Sequence, residues 1–245
     1  MKEMTSMANK VQLGKSDVKV FPIALGTNAV GGHNLYPNLD EEQGKDVVRK
    51  AIDNGITLLD TAYIYGPERS EELVGQVVQE YPREQVQIAT KGSHVIKDND
   101  EVVQNNDPEY LKQQVENSLK RLQVDYIDLY YQHRIDPKVE PEVVAGVMKE
   151  LIAAGKIKAW GISETTEEYL RRAHAVCPVT AIQNRYSMMA RWYEDLFVVC
   201  KELGITYVAF SPMANGLLSG KFTPDSTFEK GDFRNNMPQY QKEGY

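Results

Sequence analysis

Short apolar runs alternate with longer amphipathic ones along this 245-residue chain, which predicts an α/β fold with parallel strands joined by helices. Two further observations narrow the class to a (β/α)8-type barrel. The length is close to the roughly 250 residues ordinary for such a barrel. The first strand-turn-helix reads Gly26-Thr-Asn-Ala-Val-Gly31, which lacks the G-x-G-x-x-G of a doubly wound dinucleotide sheet. The expected object is a single domain over residues 1–245, with a β-hairpin in front and without the barrel's eighth strand and closing helix.

Val11 to Leu13 and Val18 to Val20 flank Gly14-Lys-Ser-Asp17 and read as the hairpin. Ile23 to Leu25 is the first barrel strand, followed by a Gly-rich loop to Asn38. Asp40-Glu-Glu-Gln43 is a capping box for a helix striped with Val47, Val48, Ala51 and Ile52 and ended at Gly55. The next strand is Ile56 to Leu59, then a helix from Ser70 to Glu80 and a strand from Val86 to Ala89. Asp107 before Pro108 starts a helix carrying Leu111, Val115, Leu119 and Leu122. Tyr126 to Tyr131 is a strand, and Pro141 to Ala154 a helix stopped by Gly155. Lys158 to Ile162 is a strand, and Thr165 caps the helix that runs to Ala175. Val179 to Ile182 is a strand, Trp192 to Leu203 a helix ended by Gly204, and Ile205 to Phe210 the last strand. Seven strands and six full helices follow the hairpin.

Composition excludes several functions. A net charge of -7 argues against nucleic acid as a partner. No window reaches the ~18 apolar residues of a membrane span, and Met1 to Lys10 lacks the apolar core of a signal peptide, so a cytoplasmic protein is expected. Cys177 and Cys200 have no metal-type spacing, which fits a reducing compartment and no metal site.

Barrel chemistry gathers at the C-terminal ends of strands. Asp60 ends Thr57-Leu-Leu-Asp60, Lys91 ends Ile88-Ala-Thr-Lys91, and His133 ends Leu129-Tyr-Tyr-Gln-His133, with Tyr65 five residues after Asp60. A lone polar residue at a strand end is ordinary, because strand ends meet solvent. Their conjunction on successive strands makes a coherent acid site. A Lys ammonium beside a phenol favours the phenolate, Asp60 would hold that ammonium, and an imidazole would orient a substrate oxygen toward Tyr65. Such a set suits protonation of an oxygen that becomes negative when its carbon is attacked; the residues alone would serve an isomerase or a lyase equally well. His33, His94 and His174 read as loop or surface residues, since no pair has metal-ligand spacing, although His94 lies near Lys91. Tyr130, Tyr131 and Trp160 read as packing, and Glu140 to Glu150 as the solvated face of a helix.

Gly26-Thr27, Leu59-Asp-Thr-Ala62 with Tyr65-Gly66, Ala89-Thr-Lys91, Gln132-His-Arg134, Gly161-Ile-Ser163, Gln183-Asn-Arg-Tyr186 and Phe210-Ser-Pro212 followed by Gly216-Leu-Leu-Ser-Gly-Lys221 resemble, in order, the motifs of the aldo-keto reductase family. The resemblance runs from the hairpin to about Arg234. It implies a TIM barrel that transfers hydride from NADPH to a small-molecule carbonyl without metal or flavin. It implies Tyr65 as proton donor, Lys91 and Asp60 as the pair that tunes it, and His133 as the group that orients the carbonyl. For the cofactor it implies Ser163 and Gln183 at the nicotinamide amide, Phe210 stacked on the ring, and Ser211, Pro212, Met213, Gly216, Leu218 and Lys221 along the pyrophosphate. Arg234 reaches the same segment in that pattern, and Gly26, Thr27 and Asp60 complete the cofactor wall.

Past Phe222 the chain turns polar and no eighth strand follows. Closing the barrel would take about 40 to 60 further residues by ordinary element and loop lengths. A longer parent chain is therefore expected, and the choice between NADP and NAD, the substrate and the oligomeric state stay open. Two other readings stand beside the enzyme: a cofactor-binding regulatory relative of the channel-subunit kind with little turnover, and a truncated inactive fragment.

Overall fold

The computed structural model describes residues 10–223 and 225–241. Val11–Gln12 (β1) and Lys19–Val20 (β2) form the antiparallel hairpin. The chain continues through Leu25–Gly26 (β3), Glu41–Asp53 (α1), Leu58–Asp60 (β4), Arg69–Val78 (α2) and Gln87–Gly92 (β5). A second hairpin, His94–Ile96 (β6) and Val102–Gln104 (β7), follows before Pro108–Leu122 (α3). Then come Ile127–Gln132 (β8), Pro141–Ala153 (α4), Ile157–Ser163 (β9), Glu167–Val176 (α5), Ala181–Arg185 (β10), Leu196–Leu203 (α6) and Thr206–Phe210 (β11).

Seven of these strands form one parallel sheet in the order β11-β10-β9-β8-β5-β4-β3. Among the described residues β3 and β11 do not pair with each other, so the sheet curls as an open half-barrel. Among the described residues the chain builds the expected α/β barrel fold with seven parallel strands and no eighth.

Two cores follow from the period of two along each strand. Outward residues such as Leu59, Ile88, Tyr130, Trp160, Ile162 and Ile182 pack against Val74, Val77, Leu111, Val115, Val144, Met148 and Leu170 of the helices. Inward residues Leu58, Ala89, Leu129, Ala159, Ala181 and Val208 form a second cluster with Leu13, Val18 and Val20 of the first hairpin. Gly14 N–H donates to the Thr206 hydroxyl at 2.7 Å, which sets that hairpin at the N-terminal ends of the strands. One end of the half-barrel is thereby filled, and the other is left for chemistry.

Helix ends follow the expected signals. Asp40 accepts from Gln43 N–H at 3.0 Å, and Asp107 accepts from Glu109 and Tyr110 N–H at 3.0 and 3.2 Å. Gly204 ends α6 in the left-handed region at φ +71°, where a side chain would be strained. Three local expectations are corrected and one further element appears. The first barrel strand starts at Leu25, leaving Ile23 exposed. The cap of α5 is Thr166, one residue later than Thr165. The last helix begins at Leu196 and not Trp192, because the Glu194 carboxylate is drawn out to the Tyr186 hydroxyl and the Arg191 guanidinium. The β6–β7 hairpin went unpredicted, since its polar Lys97-Asp-Asn-Asp100 centre masks two short β-branched pairs. Among the described residues no helix is long and apolar enough to cross a membrane.

Candidate active site

The alternation that buries Leu58, Ala89, Leu129, Ala159, Ala181 and Val208 inside the sheet turns the residues two positions further on toward the same side. Those residues are Asp60, Lys91, Tyr131, Gly161, Gln183 and Phe210, with His133 and Ser163 one more step along β8 and β9. Pairing staggers them from strand to strand: Asp60 lies beside Ala89, Lys91 beside Tyr131, and Gln183 between Ser163 and Val208. The apolar inner cluster is therefore followed, toward the C-terminal mouth, by the side chains that line that mouth.

A cavity of about 280 Å³ opens there. Eleven residues expected from the sequence line it: Gly26, Asp60, Tyr65, Lys91, His133, Ser163, Gln183, Phe210, Ser211, Pro212 and Met213. Lys91 is 1% exposed and donates to an Asp60 carboxylate oxygen and to the Thr61 carbonyl, the latter at 2.8 Å. Burial opposes its charge, but Asp60 and Tyr65 outweigh burial, and the ammonium is held above its ordinary range. The other Asp60 oxygen accepts from Gln183 Nε2 at 2.6 Å. Gln183 also hydrogen-bonds the buried Tyr131 hydroxyl, whose pKa is pushed well up by burial and then by Asp60.

Tyr65 reaches the cavity from the loop between β4 and α2, with its ring centroid 5.4 Å from Lys91 Nζ and 6.1 Å edge-on from the His133 ring. His133 is 6% exposed, and burial, then Lys91, Arg134 and His94, push its pKa well below the ordinary range. It is a neutral imidazole at neutral pH. His94 is not the surface residue expected: it is buried, packs edge-on at 4.6 Å from His133, and burial lowers its pKa to about 4. The short β6 strand folds it inward.

Five expected residues lie outside the cavity lining. Thr27 is fully buried, its hydroxyl donating to the Asp60 carbonyl and lying 3.1 Å from Ser70 Oγ. Gly216 packs on the Phe222 ring, and Leu218 N–H donates back to the Met213 carbonyl. Lys221 lies over Phe222 at 5.8 Å. Arg234 is paired with Asp232 and surrounded by Phe228, Phe222 and Tyr36 at 4.3, 5.0 and 5.5 Å.

Four lining residues were not singled out from the sequence: Asn28, Tyr36, Arg134 and Asn215. Arg134 had a signal, a cation directly after His133. Its guanidinium donates to Ser163 Oγ at 3.0 Å and faces Glu164 at 3.4 Å. Asn28 continues the alternation from Gly26. Tyr36 and Asn215 sit in irregular loops that carry no period. Among the described residues no group of three or more His, Cys, Asp or Glu is placed to hold a metal ion.

This arrangement can present a phenol and a neutral imidazole to one oxygen, with a buried ammonium behind them. Comparison with known proteins gives it a lineage. A probable aldo-keto reductase of Glycine max is 41% identical over 212 residues, covering 86% of this chain and 61% of that protein. The aldo-keto reductase YhdN of Bacillus subtilis is 41% identical over 242 residues, covering 98% of this chain and 71% of its own length. The chain thus spans less than two thirds of the Glycine max relative. A glycerol dehydrogenase structure from Gluconobacter oxydans superposes with a TM-score of 0.88 at 32% identity, over 97% of this chain and 74% of that one. An aldo-keto reductase from Klebsiella pneumoniae in complex with NADPH superposes with a TM-score of 0.70 at 28% identity, over 85% and 69%. The profile of the Aldo/keto reductase family matches residues 22–244, and the chain belongs to that family.

Proposed function

We propose that this chain is an NADPH-dependent oxidoreductase that reduces an aldehyde or ketone to an alcohol, with Tyr65 as the proton donor. The observation that carries the reading is the buried Lys91–Asp60 pair at the base of a cavity whose wall holds both Tyr65 and His133. The family supplies the redox class, which the four side chains leave open.

The residues present fit the nicotinamide end of such a cofactor. Ser163 and Gln183 offer polar side chains beside the aromatic Phe210, and Arg185 lies over the Phe210 ring at 5.2 Å while Phe210 also lines the cavity. Stacking needs a ring face and no hydroxyl. Bound there, NADPH would supply the hydride. Ser211, Pro212 and Met213 continue the same wall, and Gly216, Leu218, Lys221 and Arg234 are proposed for the more distant part of the cofactor.

The carbonyl oxygen is placed between the Tyr65 hydroxyl and the single N–H of neutral His133. As the carbon gains a hydride, the oxygen gains negative charge and takes the Tyr65 proton, so C=O becomes CH–OH. Lys91, held charged by Asp60, stabilises the phenolate left on Tyr65. Burial, and after it Lys91 and Arg134, keep His133 neutral, so that it orients and does not compete as an acid. The reading takes residues 1–245 as one catalytic domain working on a small molecule in the cytoplasm, a compartment that suits the free, buried Cys177 and Cys200.

Tyr65→Phe is the test. NADPH consumption over a panel of aldehydes and ketones is expected to fall by about a hundredfold or more when the donor is removed. Equal rates for the variant and the parent would refute the acid role.

A further inference from the structure

We propose that Asn34, an exposed side chain in the loop between β3 and α1, is a positioning residue that sets the direction of Tyr65. This rests on the reading of Tyr65 as the proton donor. Tyr65 lies in a loop, and its backbone is what aims its hydroxyl. On the inner side, Ser70 N–H donates to the Tyr65 carbonyl at 3.0 Å, and Ser70 is buried with its hydroxyl 2.9 Å from Thr61 Oγ1 and 3.0 Å from the Thr27 carbonyl. That knot fixes where α2 begins.

On the outer side, Asn34 engages both peptide groups that flank Tyr65. Its Nδ2 donates to the Ile64 carbonyl at 3.0 Å, and its Oδ1 accepts from Gly66 N–H at 2.8 Å. Ile64 O belongs to the peptide before Tyr65 and Gly66 N to the peptide after it. Together the two bonds fix the tilt of both peptide planes, and with them the Cα–Cβ direction of Tyr65. The two loops meet closely enough that a Cβ on Gly66, which sits at φ +98°, would strike the Gly31 carbonyl. The loop that carries Asn34 is itself anchored, since the Leu35 carbonyl accepts Phe233 N–H at 3.0 Å and Tyr36 packs edge-on to Phe233 at 5.0 Å. Asn34 therefore transmits a fixed frame to Tyr65 without touching substrate.

Asn34→Ala in the full chain removes both bonds and buries nothing new. A misplacement of about 1 Å in a reacting group slows a reaction by about a hundredfold. The expected result is a kcat lower by about tenfold to a hundredfold, a KM for NADPH within about twofold, and a thermal midpoint within about 2 °C of the parent, as for an exposed substitution. Hydrogen–deuterium exchange of the peptide spanning residues 61–68 is expected to quicken in the same variant. His33→Ala, next in the same loop and bonded through its ring to Glu41, is expected to keep the parent's rate. The proposal is overturned if Asn34→Ala keeps the parent's kcat while Tyr65→Phe loses it, or if His33→Ala slows the enzyme as much as Asn34→Ala. If Tyr65→Phe keeps full rate, or the parent turns over no carbonyl, the functional reading has failed instead. The clamp is then judged by exchange alone, and unchanged exchange in residues 61–68 overturns it.

Discussion

Lys91 and His133 are delivered by β5 and β8, strands buried along their whole length, whereas Phe210 stands on β11, which is half-exposed for most of its length. The cause is position in the sheet. β5 lies between β4 and β8, while among the described residues β11 has only β10 beside it. The corner that holds Lys91 and His133 is buried and set by ladder hydrogen bonds. The wall beyond Phe210 depends on an irregular turn in which Ser211, Ala214, Asn215 and Gly216 all have positive φ, tied by Ser211 Oγ to Asn215 Oδ1 at 3.0 Å and by the Tyr240 hydroxyl to the Asn215 carbonyl at 2.9 Å. Under the proposed function, charge would be stabilised without reorganisation in the first region, whereas the second would admit the cofactor. The same chain therefore spends its sheet on one and its loops on the other.

The largest effect expected from that difference comes from breaking the buried pair. Lys91→Met removes the cation and leaves the Asp60 carboxylate with Gln183 but no opposite charge. Breaking one side of a buried ion pair destabilises by about 3 to 5 kcal/mol. Urea unfolding is expected to show a loss of that order, together with loss of carbonyl reduction. A Lys91→Met protein as stable as the parent would show that the ion pair contributes nothing to stability.

Acid probes the same corner more gently. His94 and His133 are both neutral in the folded chain, with His94 lowered to about 4 and His133 lowered well below its ordinary range. The unfolded chain, with histidines near 6.5, binds more protons than the folded one below that pH. Stability therefore falls as the pH drops from about 6.5, by about 1.4 kcal/mol per unit for each group, and the His94 contribution levels off near pH 4. Urea midpoints at pH 7 and pH 5 would measure it. His94→Phe, which leaves His133 and the less deeply set His174 depressed, is expected to lower that slope by about a third to a half, and an unchanged slope would place the proton uptake elsewhere.

The fully paired half of the molecule was also the half most legible in the sequence. The apolar runs through Leu58–Leu59, Ile88–Ala89 and Leu129–Tyr131 each lead into a polar end, Asp60, Lys91 and His133, so the strand-end residues could be picked out without coordinates. Gly55, Gly155 and Gly204 marked helix ends because only the left-handed region closes them there cheaply. His94 was misread because a three-residue strand with a polar partner carries almost no period. Thr27 stands beside the cavity wall in sequence, yet β3 turns its side chain back onto Ser70. Arg234 was assigned by its place in a motif order, while its surroundings are set by aromatic residues of two distant loops, Tyr36 in one and Phe222 and Phe228 in the other. Local spacing determines what a strand presents. It says little about where an irregular segment lies.

The open-side wall is expected to show the smallest change in stability and a separable change in binding. Phe210 is half-buried on a strand with one neighbour, so Phe210→Ala removes few packed contacts and is expected to shift the urea midpoint far less than Lys91→Met. An aromatic stack is worth about 0.5 to 1.5 kcal/mol beyond the area it covers. NADPH titrated into the variant and followed by fluorescence should therefore bind about threefold to tenfold more weakly. Phe210→Tyr keeps the ring face and is expected to bind as the parent does. A Phe210→Ala protein that binds NADPH as tightly as the parent would separate this wall from the cofactor. A variant as unstable as Lys91→Met would mean that β11, despite its open edge, is held as firmly as the centre of the sheet.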